Sequence, residues 1–68
     1  MTLGEKSFLA EVINKYYPTE ERAYEIAEHF SDQQRKYFLA LYYNKKHAEA
    51  KAVIENVKAL QAHITQPL

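Results

Sequence analysis

The chain has 68 residues, nine basic and nine acidic side chains, and no cysteine. This length allows one small domain and excludes a large core, and the absence of cysteine excludes disulfide bonds. The longest apolar run, from Tyr37 to Tyr43, is far shorter than the roughly 20 residues of a membrane-spanning helix. We therefore expect a single cytoplasmic domain over residues 1–68, without a secretory signal or a membrane segment.

Charge is distributed unevenly along the chain. Residues 1–32 contain seven acidic and three basic residues, whereas residues 33–68 contain six basic and two acidic residues. The two halves therefore carry net charges of −4 and +4. This pattern is typical of solvated helix faces, and it also fits a molecule that pairs head to tail or binds a charged partner.

Helical signals begin at the first residues. The chain has one glycine and two prolines, too few for a turn-rich β fold. Thr2 and Glu5 have the spacing of a capping box, which predicts a helix from Leu3. Because proline disfavours helical dihedrals in the residue before it, Pro18 predicts that this helix ends at Tyr17.

The next two helices have their own start signals. Thr19 is the expected N-cap of a second helix over residues 20–30. Ser31 and Gln34 form a second capping-box pattern, so a third helix is expected to begin near Asp32. We predict that Asn44 ends this helix as a left-handed C-cap.

A fourth helix is expected from Ala48 to Ile64, where apolar residues recur in steps of three and four. Since neither glycine nor proline lies between the third and fourth helices, one continuous rod is an alternative. The fold prediction is an all-α antiparallel bundle of four short helices, or of three if these two are continuous. The predicted core consists of Leu9, Val12, Ile13, Tyr16, Ala23, Ile26, Ala27, Phe30, Tyr37, Phe38, Leu41, Val53, Val57, Leu60 and Ile64.

The segment from Tyr37 to Leu60 combines an apolar helix, a short polar turn and a helix with the small residues Ala50 and Ala52. In this it resembles a tetratricopeptide hairpin. The resemblance departs from the family at Phe38, where a small residue would be expected, and no second copy follows at the family's spacing of about 34 residues. It implies a helical-hairpin packing of the last two helices and nothing about a ligand.

The apolar run of the third helix predicts an interaction surface. Its seven residues span nearly two turns and point in every direction around the helix axis, more than three short neighbours can cover. The expected surface combines Tyr17, Tyr24, Leu39, Tyr42 and Tyr43. The alternative is that these tyrosines lie half-buried at the edge of the core. The favoured function is a non-enzymatic protein–protein interaction module, a small regulator, adaptor or inhibitor, which forms a homodimer.

Enzymatic and metal-binding patterns are weak. Ser7 and Ser31 have no base nearby in sequence, and Gly4 alone cannot form a phosphate-binding loop. Glu25 and His29 are four residues apart on one helix face, but two ligands do not complete a tetrahedral metal site. We therefore expect no catalytic residue, no metal, no cofactor and no small-molecule substrate.

Nucleic-acid binding is the alternative function. The residues before and after Ser31 loosely follow a helix-turn-helix pattern, with the third helix in the place of a recognition helix. Against this, that helix is too apolar to lie in a groove. The candidate phosphate-contacting residues are Arg35, Lys36, Lys45, Lys46 and Lys51.

Overall fold

The computed structural model describes the backbone of residues 1–65 and the side chains of residues 1–60. Within residues 1–65 the chain forms four helices and no strand: α1 (Leu3–Ile13), α2 (Glu20–Glu28), α3 (Asp32–Tyr43) and α4 (His47–Thr65). The predicted all-α bundle of four helices is confirmed, and the last two helices are separate. None of the helices in this part of the chain is both long enough and apolar enough to cross a bilayer.

Both predicted capping boxes are present. The Thr2 hydroxyl accepts from the Glu5 amide at 3.1 Å, and the Glu5 carboxylate accepts from the Thr2 amide at 2.7 Å. Ser31 and Gln34 make the same pair of hydrogen bonds at 3.0 and 2.7 Å. Thr19 precedes α2 as predicted, but its side chain makes no capping hydrogen bond. The starts of α1 and α3 are thus fixed locally, by residues three positions apart.

Helix α1 is shorter than predicted. It ends at Ile13, not at Tyr17, and residues 14–18 form turns and bends. The amides of Lys15 and Tyr16 bond to carbonyls three residues earlier, at 3.0 and 2.9 Å, so the chain tightens well before the proline. Helix α2 likewise ends two residues before the predicted boundary. The amides of the next two residues, His29 and Phe30, bond to carbonyls three residues earlier.

A Schellman turn separates α3 from α4. The amides of Lys45 and Lys46 bond to the carbonyls of Tyr42 and Leu41 at 3.0 and 2.9 Å, the two bonds that define this helix ending. The left-handed residue is Lys45, with a φ of 59°. The prediction of a left-handed Asn44 is wrong, since its φ is −88° and its side chain bonds back to the last turn of α3.

Replacing Lys45 by glycine is expected to raise the free energy of unfolding by about 1 kcal/mol. A left-handed backbone costs a residue with a Cβ about 1–2 kcal/mol and costs glycine almost nothing, although glycine also gains entropy in the unfolded chain. Urea unfolding followed by circular dichroism measures the change. Lys46→Gly is the matched control, because Lys46 has no positive φ and glycine there should only destabilise. Equal effects of the two substitutions would contradict the prediction.

The buried core contains ten of the predicted residues. These are Leu9, Val12, Ile13, Ala23, Ile26, Ala27, Phe30, Phe38, Leu41 and Val57. Tyr16 and Val53 pack against this core while partly exposed, and Ile64 lies outside the described side chains. Ala10, Ala50 and Ile54 are also buried, and the predicted core omitted them.

Two predicted core residues are exposed. Tyr37 is 59% exposed, because Phe38 takes the inward position and its predecessor lies about 100° away around the helix. Leu60 is 54% exposed, because α4 has 19 residues and α3 only 12. These lengths correspond to about 28 and 18 Å, so the last turns of α4 extend past α3.

The bundle consists of two helical hairpins. Helix α1 packs along α2, α3 packs along α4, and α2 also contacts α4. The hairpin of α3 and α4 is the packing mode that the tetratricopeptide resemblance implied. One continuous core lies between the hairpins, and it leaves the outer side of α3 uncovered within the described part of the chain.

Candidate interaction surface

The outer side of α3 carries a row of apolar residues one turn apart. Tyr37, Ala40 and Tyr43 follow one another at intervals of three, so they share one side of the helix. The exposed fractions of the two tyrosines are 59% and 63%, and Ala40 is also exposed. We call these three residues the α3 face. The apolar run is therefore not wholly covered by the residues that the structure describes.

The inner side of α3 explains why the α3 face points outward. Phe38 is fully buried, with its ring edge-on to Phe30 at 5.5 Å and to Tyr16 at 6.2 Å between centroids. Leu41, nearly one turn later, is also buried. Around the helix axis, Ala40, Tyr43 and Tyr37 lie about 160°, 140° and 100° away from Phe38, so they point away from the core.

Tyr43 packs against Tyr42, which belongs to a small aromatic cluster with His47 and Tyr16. Its ring lies edge-on to Tyr42, with centroids 5.5 Å apart, and Tyr42 contacts the His47 imidazole at 6.1 Å. The Tyr16 hydroxyl and His47 Nδ1 lie 2.7 Å apart, which is hydrogen-bond distance. Burial, with a smaller contribution from Tyr42, raises the pKa of Tyr16, so its phenol stays protonated. Tyr43 thus packs on Tyr42 while most of its own surface stays exposed.

Tyr17 and Tyr24 lie on other elements and make internal contacts. The Tyr17 hydroxyl donates to the Glu55 carboxylate, and the Lys58 ammonium lies over the Tyr17 ring, 4.6 Å from its centroid. Tyr17 therefore connects the α1–α2 linker to α4 through these two contacts. The Lys6 ammonium lies 4.8 Å from the centroid of the Tyr24 ring. In both tyrosines, a lysine of the same chain makes a cation–π contact with a ring that the sequence analysis assigned to the interaction surface.

The residues of the predicted interaction surface do not lie together in the structure. Leu39, Tyr42 and Tyr43 stay together on α3, but the first two are partly buried against the core. Tyr37, which the sequence analysis placed in the core, takes the exposed position beside Tyr43. No local signal in the sequence distinguishes the two arrangements, because the capping box of α3 fixes where the helix starts but not which side faces inward.

The predicted basic patch loses Arg35 to an internal ion-pair network. The Arg35 guanidinium lies 2.8 Å from Asp32 and 3.2 Å from Glu5, and its side chain is 12% exposed. The hydrogen bond from Arg35 lowers the pKa of Asp32, and Asp32 in turn raises the pKa of Arg35. Lys36 approaches the same carboxylate at 3.7 Å. Arg35 therefore links α1 to α3 instead of presenting a free charge.

The remaining basic residues lie around the α3–α4 turn. Lys45, Lys46 and Lys51 are exposed, and among the described residues none has a carboxylate within 4.0 Å. Glu49 lies between them in sequence, which reduces the local positive charge. Three lysines beside one glutamate form a small cationic patch.

The candidate metal pair of Glu25 and His29 has no third ligand nearby within the described residues. Glu25 is paired with Arg22 at 3.2 Å. Within the described residues, no group of three or more His, Cys, Asp or Glu side chains converges where it could hold a metal ion. Comparison with models of protein families, with curated proteins and with solved structures gives no match.

Proposed function

We propose that this chain is a non-enzymatic protein–protein interaction module, a small regulator, adaptor or inhibitor, that forms a homodimer through the α3 face. The observation that carries the proposal is the exposure of Tyr37 and Tyr43 on one side of a helix whose other side is in the core. Tyrosine is enriched in interfaces, because its ring buries a large apolar area while its hydroxyl stays hydrogen-bonded. The absence of cysteine fits a reducing compartment, and we propose a cytoplasmic location.

The spacing of the α3 face suits a second copy of the same helix. Tyr37 and Tyr43 lie three residues before and three residues after Ala40. If two α3 helices cross in antiparallel orientation at a twofold axis through Ala40, Tyr37 of each copy meets Tyr43 of the other. The small side chain of Ala40 lets the helix axes approach, since interaxial distance depends on the side chains at the contact. Twofold dimers are also the commonest oligomers.

The test is the solution mass of the wild type and of a Tyr37→Glu/Tyr43→Glu variant, measured by light scattering at micromolar concentration. We expect the wild type to have twice the 8.0 kDa mass of one chain. Two carboxylates placed in an apolar contact should weaken the dimer at least tenfold, about 1.4 kcal/mol or more.

Leu3→Glu is the control for the effect of an added surface carboxylate. Leu3 is also an exposed apolar residue, 72% exposed at the start of α1, and the substitution introduces one negative charge outside α3. Circular dichroism establishes that each variant is folded. A wild type that is folded and monomeric would refute the dimer, and equal weakening by Leu3→Glu would refute the α3 face as its site.

Nucleic-acid binding receives less support than self-association. Of its five candidate residues, Arg35 and Lys36 interact with Asp32, and only the three lysines near the α3–α4 turn are free of ion pairs in the described part of the chain. A protein usually needs several phosphate contacts for appreciable affinity at physiological salt. The exposed basic residues therefore favour a smaller role, in an ionic contact between proteins.

A further inference from the structure

Two polar residues, Lys36 and Asn44, flank the α3 face on its own helix. They lie one turn before and one turn after Ala40, and each is about 40° from it around the axis. Both residues are exposed, and the side chain of Lys36 is 71% exposed. A second copy that covers the rings of Tyr37 and Tyr43 must therefore also cover a lysine and an amide, and covering a polar group is unfavourable unless it is hydrogen-bonded.

Lys36 has donors to spare for a second copy. Its ammonium group lies 3.7 Å from the Asp32 carboxylate, which is longer than a hydrogen bond. The same carboxylate is already bound by Arg35, at 2.8 Å. Among the described residues Lys36 thus makes a single, loose ionic contact, and its three N–H donors remain available.

Asn44 has a spare acceptor. Its side-chain nitrogen donates to the Ala40 carbonyl at 2.7 Å, which holds the side chain against the last turn of α3. Within the described part of the chain, no group donates to the Asn44 side-chain oxygen, and an amide oxygen can accept two hydrogen bonds. The donor and the acceptor at the two ends of the α3 face are therefore complementary.

The charge of Lys36 distinguishes the two ways in which a twofold axis can pair α3 with its copy. In a parallel pair each residue lies beside itself, so the two Lys36 side chains meet between helix axes about 8–10 Å apart. Salt screens such a repulsion only partly, because the Debye length is about 8 Å at physiological ionic strength. In an antiparallel pair centred on Ala40, the two lysines are about 12 Å apart along the helix, and each lies beside Asn44 of the other copy.

We propose that Lys36 determines the antiparallel orientation of the dimer by donating a hydrogen bond to the side-chain oxygen of Asn44 in the second copy. The inference rests on the proposed self-association through the α3 face and assigns it an orientation. A twofold axis makes the contact twice, so each copy gives one hydrogen bond and receives one. Polar contacts of this kind, together with like-charge repulsion in the alternative pairing, determine orientation more than they add affinity.

Substitutions at the two positions test the contact. Asn44→Lys places a lysine beside each Lys36, and we expect dimerisation about tenfold weaker than in the wild type. Lys36→Glu/Asn44→Lys brings opposite charges together across the contact and should restore the wild-type affinity. Positions 36 and 44 of one chain are about 12 Å apart along the helix, so this recovery requires two copies. Light scattering over a series of protein concentrations measures the affinity, with circular dichroism to verify folding.

The matched control is Asn56→Lys. It makes the same substitution at an exposed position of α4, outside the α3 face, and we expect it to leave dimerisation unchanged.

Disulfide crosslinking reports the orientation directly, because the chain has no cysteine of its own. An equimolar mixture of Lys36→Cys and Asn44→Cys, oxidised with glutathione disulfide, should form a covalent dimer with one chain of each variant. Neither variant should crosslink to itself, because in the antiparallel pair its two cysteines are about 12 Å apart and a disulfide needs Cα atoms within about 7 Å.

The outcomes distinguish this inference from the proposed function. A wild type that stays monomeric refutes both. A dimer that Tyr37→Glu/Tyr43→Glu weakens, but that Asn44→Lys affects no more than Asn56→Lys does, refutes the Lys36 contact alone, and so does a double variant that does not recover. Crosslinking of Lys36→Cys to itself overturns the orientation. If Asn44→Lys fails to fold, the crosslinking result decides.

Discussion

Replacing Phe38 by alanine is expected to unfold a large fraction of the chain at room temperature. Phe38 is fully buried, and its ring contacts Phe30, two residues after the end of α2, and Tyr16 in the α1–α2 linker. Truncating a buried phenylalanine to alanine costs about 3–5 kcal/mol through lost burial and the cavity left behind. A chain of 68 residues is expected to have only about 3–10 kcal/mol of total stability. Thermal and urea unfolding followed by circular dichroism measure the loss.

The adjacent residue provides the control. Tyr37→Ala removes a side chain of similar size that is largely exposed, so we expect it to cost less than about 1 kcal/mol. Because Tyr37 belongs to the α3 face, both variants are compared at low protein concentration, where dimerisation contributes little to stability. If the two substitutions destabilise the chain equally, Phe38 is not the inward residue of α3, and the assignment of the α3 face is wrong as well.

Local signals in the sequence predicted most of the helix boundaries. Thr2 with Glu5 and Ser31 with Gln34 are hydrogen-bonded across three residues, so their effect needs no knowledge of the rest of the chain. The end of α1 was predicted from Pro18 and was four residues too late. The residues in between, including Tyr16 and Tyr17, contact His47 and Glu55 on α4, and such long-range partners cannot be read from local spacing.

The candidate surface was harder to predict, because a run of seven apolar residues does not specify which side of its helix is buried. The sequence identified α3 as the exposed apolar element but assigned Tyr37 to the core. The next residue, Phe38, is buried instead, because its ring packs against Phe30 and Tyr16. These contacts arise from the tertiary packing. Tyr17 and Tyr24 were assigned to the interaction surface by residue type. In the structure, the ammonium groups of Lys58 and Lys6 lie over their ring faces.

Self-association and stability should be coupled in so small a chain. A dimer that forms only from folded chains stabilises them by mass action, so the midpoint of thermal unfolding should rise with protein concentration. The α3 face contributes nothing to the core of a single copy, and the capping boxes and core fix its position. Residues of α3 that stabilise the fold and the exposed residues that we propose as the dimer contact therefore lie on opposite sides of the same helix.

The second large effect concerns two apolar residues of α4, Ile54 and Leu60. Ile54→Ala is expected to lower the free energy of unfolding by about 3 kcal/mol, because Ile54 is fully buried and its truncation leaves a cavity. Leu60→Ala should cost less than about 1 kcal/mol, because Leu60 is 54% exposed. Urea unfolding of the two variants, with the dependence on denaturant concentration fitted to one slope, gives the comparison.

The comparison between the two losses of unfolding free energy tests the structure against the sequence pattern. The core predicted from the sequence includes Leu60 and omits Ile54, so the sequence analysis predicts the larger loss at Leu60. The structure reverses this order, since α4 extends past α3 before reaching Leu60. A larger loss for Leu60→Ala than for Ile54→Ala would mean that the end of α4 is covered in solution, which would place a second copy or another partner there.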